Sequence, residues 1–317
     1  MDIHVLFLVE IYSMFTLIKQ AFRRFLTKIF DDAIRIEYQK AGLIKKNIAL
    51  EGGDISYLCS NTVSLVNQSG GVLLMLHGFG AEKEIWSGFA RHLATSLPIL
   101  IPDLPGHGEN NQDFEVDYSV HSQTNRVHKL LQALNVSKVH IVGHSMGGAI
   151  ALRLAHLYPE IVSSLVLISA AGAEIKPGVL ENIVDSRDLN PLVDVKNKED
   201  FQRLIEFCMS KPPYVPRPFF NLLADKKIAR FEIDKKIFAD ITADIDQSGH
   251  LDIIKVPSLI IWGDQDQILN VADADYLNRH LTGSHKIILP GIGHVPIMED
   301  PRQTALHAKY FLEHLAL

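Results

Sequence analysis

The feature that most constrains this chain is Gly143-His144-Ser145-Met146-Gly147. Before it runs an apolar stretch, Val139-His140-Ile141-Val142, and after it a small-residue helix start, Gly148-Ala149-Ile150-Ala151-Leu152-Arg153-Leu154-Ala155. Strand, Gly-x-Ser-x-Gly, helix reads as a sharp turn with the serine at its apex. At such a turn the positions two before and two after the serine cannot carry bulky side chains, and glycine meets that demand. The Ser145 Oγ then stands exposed at the top of a sheet. A bare Gly-x-Ser-x-Gly occurs by chance in many proteins. The flanking strand and helix give this one its weight.

A serine hydroxyl is a poor nucleophile at neutral pH and needs a base, which in turn needs a carboxylate to fix its tautomer. Both can be sought by chain order: serine, then acid, then histidine. Ile260-Ile261-Trp262-Gly263-Asp264-Gln265-Asp266 is an apolar strand ending in an acidic turn. Lys286-Ile287-Ile288-Leu289-Pro290 is another strand, followed by Gly291-Ile292-Gly293-His294. Both loops fall on the sheet edge that presents Ser145. With 15 histidines in the chain, one near a strand end is unremarkable by itself. Three elements in the right order, each after a strand, are not. Asp264 and Asp266 compete for the acid. Asp266 is favoured, because Asp264 directly follows Gly263 and is better placed to cap the turn.

Upstream, Gly71-Val72-Leu73-Leu74-Met75-Leu76 reads as a buried strand leading into His77-Gly78-Phe79-Gly80. The backbone N–H of Phe79 and that of Met146 are the expected donors to a developing oxyanion. His77 and His144 read as scaffold.

Taken together, His77-Gly78-Phe79-Gly80, Pro102-Asp103-Leu104-Pro105-Gly106-His107-Gly108, Gly143-His144-Ser145-Met146-Gly147-Gly148 and Gly293-His294 resemble the α/β-hydrolase superfamily over residues 45–317. Asn190-Pro191-Leu192, Glu199-Asp200-Phe201 and Lys211-Pro212-Pro213-Tyr214-Val215-Pro216 resemble the cap of cold-adapted bacterial lipases. Trp262-Gly263-Asp264-Gln265-Asp266-Gln267 is similar both to those lipases and to membrane-bound monoacylglycerol lipases. The resemblance implies a mostly parallel central sheet with helices on both faces and a helical cap inserted after the sixth strand. It also implies hydrolysis of carboxylic esters of glycerol, with a triad of Ser145, Asp266 and His294.

The 317 residues suit one large α/β domain with an insertion. Strands alternating with helical patterns from about 71 to 172 argue for parallel β-α-β units. Strands are expected near 72–76, 97–101, 138–142 and 163–169, with a hairpin over 48–60 turning at Glu51-Gly52-Gly53-Asp54. Alternation stops in the helical, charged stretch that follows. The expected division is a helical lead over 1–41, a core of 42–172 and 251–317, and a cap of 173–250. Phe219 and Phe220, after the Pro-rich kink, are the expected acyl contacts. An apolar content of 47% describes a full core, and a net charge of −6 argues against a nucleic-acid surface. Cys59 and Cys208 are too few for a disulfide framework. No zinc spacing and no nucleotide-binding glycine motif is present, so no cofactor is expected.

The N-terminus bears on location. Ile3–Ile18 is apolar apart from His4, Glu10, Ser13 and Thr16. As a helix it spans about 24 Å, short of the roughly 30 Å hydrocarbon core. A basic n-region and a small-residue cleavage site, the marks of a secretory signal, are missing. Phe15, Ile18, Phe22, Phe25 and Ile29 recur at helical spacing, with Lys19, Arg23, Arg24 and Lys28 between them. That pattern predicts peripheral membrane contact through residues 1–30. If the segment instead spans, the basic residues after it favour a catalytic domain facing the cytoplasm. The alternative is a soluble cytoplasmic or cell-envelope protein whose helix packs on its own domain or on another copy.

Three classes of function follow. The first is a serine hydrolase of lipid esters working through an acyl-enzyme on Ser145. The second is other serine chemistry on the same scaffold, either carbon–carbon hydrolysis of ring-fission products or cofactor-free perhydrolysis. The third is a non-catalytic binder, which the triad argues against. Carbon–carbon hydrolases usually carry extra glycine and proline after the His-Gly pair, and Gly80-Ala81-Glu82 does not.

Overall fold

The structure, a computed structural model, describes residues 3–61, 70–93, 95–110, 112–173, 180, 183–184 and 189–315, with side-chain environments from residue 17 onward. Eight strands form one sheet among these residues: β1 (Leu43–Leu50), β2 (Gly53–Ser60), β3 (Val72–Leu76), β4 (Ile99–Pro102), β5 (Val139–His144), β6 (Val162–Ile168), β7 (Ser258–Gly263) and β8 (His285–Leu289). Their spatial order is β1-β2-β4-β3-β5-β6-β7-β8. β1, β2 and β4 pair antiparallel, and every pairing from β4 across to β8 is parallel.

The central strands are apolar at nearly every position because both faces of the sheet are covered. Leu74, Ile141, Leu167 and Trp262 point to one face, where they pack with Val127, Ile150 and Leu277. Those partners lie on α3 (Val120–Ala133), α4 (Met146–Leu157) and α8 (Ala272–His280). Leu73, Met75, Val142, Val166 and Ile261 point to the other face, against Tyr38, Phe89 and Ala305. These belong to α1 (Ile3–Lys40), α2 (Ser87–Leu93) and α10 (Pro301–Glu313). Each large side chain so buried is worth about 1.5–3 kcal/mol.

The hairpin begins earlier than its sequence pattern suggests. β1 pairs from Leu43, opposite Ser60, to Leu50, opposite Gly53. Lys45, Lys46 and Asn47 are exposed on the outer edge. An edge strand shows no apolar alternation there, and its lysines discourage pairing with another chain.

Between β6 and β7 the chain leaves the sheet and builds a helical layer. It contains α5 (Lys198–Cys208), α6 (Arg217–Ala229) and α7 (Phe231–Thr242). Asn197 caps α5 by accepting the Asp200 N–H, and Pro216 precedes α6. The expected cap segments at 174–179, 181–182 and 185–188 lie outside the described residues. Val195, Phe201, Phe220 and Ala224 form a small core of this layer's own.

The loop after β4 is pinned by a buried ion cluster. The Lys83 ammonium lies 2.7 Å from the Asp103 carboxylate, and both side chains are fully buried. Asp103 also accepts the backbone N–H groups of Lys83 and Glu109. Burial works against the Lys83 charge, but the Asp103 and Glu84 carboxylates outweigh it and raise its pKa above the ordinary lysine value. Lys83→Met keeps the alkyl stem and strands the Asp103 charge. It is expected to lower unfolding free energy in urea by about 3–5 kcal/mol, with little change in the slope.

Candidate active site

Ser145 sits at the tip of β5 with φ 52° and ψ −120°, an uncommon conformation for a residue with a side chain. Its backbone is held from both sides. The Ser145 N–H donates to the Ile168 carbonyl on β6 (3.1 Å), and its own carbonyl accepts from Gly148 (2.8 Å) and Ala171 (3.0 Å). The neighbouring glycines permit the turn. A Cβ on Gly147 would lie 2.2 Å from the Leu76 carbonyl oxygen, and one on Gly143 would lie 2.5 Å from that of Gly147. The serine side chain is half-buried. The Met146 N–H opens α4, among the amides a helix cannot satisfy internally.

The His77-Gly78-Phe79-Gly80 loop runs directly beside this turn. A Cβ on Gly78 would lie 3.1 Å from the Ser145 Cβ. The loop is fixed by His77, which is fully buried. His77 Nδ1 donates to the Gly78 carbonyl (2.8 Å), and its Nε2 accepts the Leu104 N–H (2.9 Å). Burial lowers its pKa and favours this neutral tautomer.

His294 Nδ1 lies 2.9 Å from Asp266 Oδ2. The Asp266 side chain has no solvent exposure, and that of His294 has 7%. Asp266 Oδ1 is occupied by the N–H groups of Ile268 (2.9 Å) and Leu269 (3.0 Å), so this carboxylate is fully hydrogen-bonded. With Nδ1–H given to Asp266, Nε2 is the ring's acceptor. The other acid, Asp264, accepts the Gly291 N–H (2.7 Å) and ties the β7 turn to the loop after β8. The structure thus brings Asp266 and not Asp264 to the imidazole.

His144 does more than fill space. Its Nε2 donates to the His294 carbonyl (2.8 Å), with the two ring centroids 5.1 Å apart. Burial, with His294 alongside, pushes its pKa down to about 3, so it stays neutral. The His294 N–H donates to the Cys208 carbonyl at the end of α5 (2.9 Å). No local sequence pattern signals either bond, since both join residues far apart in the chain. Cys59 and Cys208 are free thiols.

Phe219 and Phe220, the expected acyl contacts, face different neighbours. Phe219 packs against Phe30 of α1, with ring centroids 5.7 Å apart. Phe220 packs against Phe201 of α5 at 5.1 Å. Adjacent residues on a helix point about 100° apart, so one faces α1 and the other faces α5. The part of the cap that meets the Phe79 loop is different. Phe238 of α7 meets Phe79 edge to face at 5.3 Å, and Lys227 of α6 lies 5.1 Å over the same ring.

A family model for the α/β hydrolase fold matches residues 71–301, and the chain belongs to that family. Lipase 1 of Psychrobacter immobilis is 34% identical over 288 residues, covering 88% of this chain and 87% of the lipase. Monoacylglycerol lipase ABHD6 of Homo sapiens is 33% identical over 245 residues, covering 74% of this chain and 72% of that one. Among solved structures, a membrane phospholipase A described as a bacterial virulence factor superposes with a TM-score of 0.88 at 31% identity, over 98% of each chain.

The steric argument for the Ser145 turn gives a direct prediction. Gly147→Ala drives a Cβ into backbone and is expected to destabilise the fold by about 3 kcal/mol or more. Gly249→Ala, where nothing lies within 4 Å, should change stability by about 0.5 kcal/mol or less. Chemical denaturation of the two variants beside the parent checks the contrast.

Proposed function

We propose that this carboxylic ester hydrolase acts on acylglycerols or similar lipid esters through an acyl-enzyme on Ser145. The observation that carries the reading is the His294–Asp266 pair, 2.9 Å apart, on the sheet edge that presents Ser145. In this reading His294 Nε2 takes the Ser145 proton as Oγ attacks the ester carbonyl carbon. The oxyanion that forms is met by the N–H groups of Phe79 and Met146, a contribution worth about 3–4 kcal/mol of barrier per donor. Collapse of the tetrahedral intermediate breaks the carbon–oxygen bond, and His294 returns the proton to the departing alcohol. Water, deprotonated by the same imidazole, then attacks the acyl-enzyme and releases the acid. Asp266 stabilises the imidazolium in both halves without taking the proton. Phe79 and Phe238 are the apolar walls this reading gives to the acyl chain.

Lipid-ester chemistry is supported by the lipases among the relatives and by the surface of α1. Leu17, Ile18, Phe22, Phe25 and Ile29 are exposed, interleaved with Lys19, Arg23, Arg24 and Lys28. The same helix also packs on the body, at Arg23 within this stretch and beyond it. Arg23 pairs with Asp225 of α6, and Arg91 of α2 with Glu37. The Phe15 side chain lies outside the described residues. Among the described residues no helix is long and apolar enough to cross a membrane. From the exposed apolar and basic face we assign α1 a peripheral role, lying on an anionic bilayer.

Ser145→Ala should lower hydrolysis of p-nitrophenyl butyrate by about 10³-fold or more with the fold intact, and should abolish labelling by a fluorophosphonate. Asp266→Asn should lose about 10³–10⁴-fold, whereas Asp264→Asn should stay within about tenfold of the parent. A folded Ser145→Ala protein with full activity, or a reversed ranking of the two acids, would refute the mechanism.

Exchanging Leu17, Ile18, Phe22 and Phe25 for serine tests the surface. Binding to vesicles containing phosphatidylglycerol should fall by about 10²-fold or more, since each apolar side chain contributes upward of 1 kcal/mol. Turnover of the soluble butyrate ester should be unchanged. Equal vesicle binding by parent and variant would remove the lipid-surface role.

A further inference from the structure

The loop that carries His294 and the cap segment after α5 share one carboxylate. Glu299 lies on α9 (Pro296–Glu299) and accepts three backbone N–H groups. Its Oε2 takes those of Gly293 (3.0 Å) and of Lys211 in the cap (2.9 Å), and its Oε1 takes that of Val295 (3.2 Å). The His294 N–H between them goes to the Cys208 carbonyl (2.9 Å). Every amide from Gly293 to Val295 is therefore committed, two to Glu299 and one to the cap backbone.

The seam is close-fitting. A Cβ on Gly293 would lie 2.8 Å from the Ser210 nitrogen, and 3.0 Å from both the Cys208 carbonyl oxygen and Glu299 Oε1. Lys211 is the last backbone donor before Pro212 and Pro213, which have no N–H to give. Hydrogen bonds from amides to a carboxylate are among the stronger kinds. No neighbouring acid duplicates the arrangement. Asp266 is filled by His294, Ile268 and Leu269, and Asp264 is engaged with Gly291.

We propose that Glu299 is a positioning residue that latches the Cys208–Lys211 end of the cap to the His294 loop. The imidazole is then placed for proton transfer only while that end of the cap is seated. This rests on the reading of His294 as the base. Gln at position 299 keeps the volume but replaces one acceptor oxygen with an amino group. That group would face a backbone N–H, donor against donor.

The test uses the full chain with Glu299→Gln and, independently, Gly293→Ala, which wedges the seam while leaving Glu299 intact. Two readouts are taken: kcat and KM on p-nitrophenyl butyrate, and amide hydrogen exchange. A small misplacement of a catalytic group costs about 10²-fold in rate. Both variants should therefore lose about that much kcat, with KM within about twofold of the parent. Exchange should rise together in residues 208–211 and 293–295, and stay at the parent level in β3 and β5. Unchanged kcat, an effect confined to KM, or faster exchange in the histidine loop with the cap segment unmoved would overturn the latch. Faster exchange throughout β3 and β5 would also overturn it, by making Glu299 a residue of global stability. A parent protein that hydrolyses no ester would defeat the functional reading instead, and the exchange pattern would still decide the latch.

Discussion

One backbone angle sets the geometry of the sheet's functional edge: the positive φ of Ser145. A residue with a side chain is held there at a cost of about 1–3 kcal/mol, and only when its surroundings over-determine it. They do so by occupying the Ser145 N–H with Ile168 of β6 and its carbonyl with Gly148 and Ala171. The serine is thus clamped between the neighbouring strand and its own helix. The same tight turn brings α4 down onto β3, where Gly147 meets the Leu76 and His77 carbonyls. Gly78 passes close against the Ser145 side chain, where a Cβ would lie 3.1 Å from that of Ser145. The geometry of the Phe79 loop follows from how sharply the chain turns at Ser145.

The parts of this arrangement that sequence reveals are those whose physics is local. A central parallel strand is largely apolar on both faces, so β3, β5, β6 and β7 stand out as short, mostly apolar runs. The turn at Ser145 demands small residues at fixed offsets, and those offsets are visible. Asp264 directly after Gly263 reads as a turn residue, and it does tie the β7 turn to Gly291. β1 hid its first half, because an exposed edge strand carries lysine and asparagine where an inner strand would carry valine. The packing partners of Phe219 and Phe220 are not legible for a related reason. Helical periodicity says that adjacent side chains diverge, but not which neighbour each will meet, and here those neighbours are α1 and α5. Glu299 and the His144–His294 contact left no trace, since each is a hydrogen bond between residues that only the folded sheet brings together.

Beside apolar contacts such as Phe238 on Phe79, the helical layer is attached to the body by hydrogen bonds and ion pairs at several loops. Arg230, between α6 and α7, donates to the Gly106 carbonyl and pairs with the fully buried Asp234 of α7. Asp240 and Asp244, at and just beyond the end of α7, accept the amides of Tyr118, Val120 and His121. They thereby satisfy donors where α3 begins. At the other end, Cys208 and Lys211 join the histidine loop. Apolar contacts tolerate sliding, whereas hydrogen bonds to fixed amides do not. A cap secured in this way keeps its register over the sheet edge even though its own core consists of few large side chains.

α6 occupies a particular position in this network. Near its start Phe219 meets Phe30 of α1, and further along Asp225 pairs with Arg23. Near its end, Lys227 lies over the Phe79 ring and pairs with Asp234. One helix of 13 residues therefore spans from the segment with an exposed apolar and basic face to the loop beside Ser145. A helix is stiff along its axis because its hydrogen bonds run in that direction. The surface proposed as lipid-facing and the loop proposed as oxyanion-binding both contact this one helix.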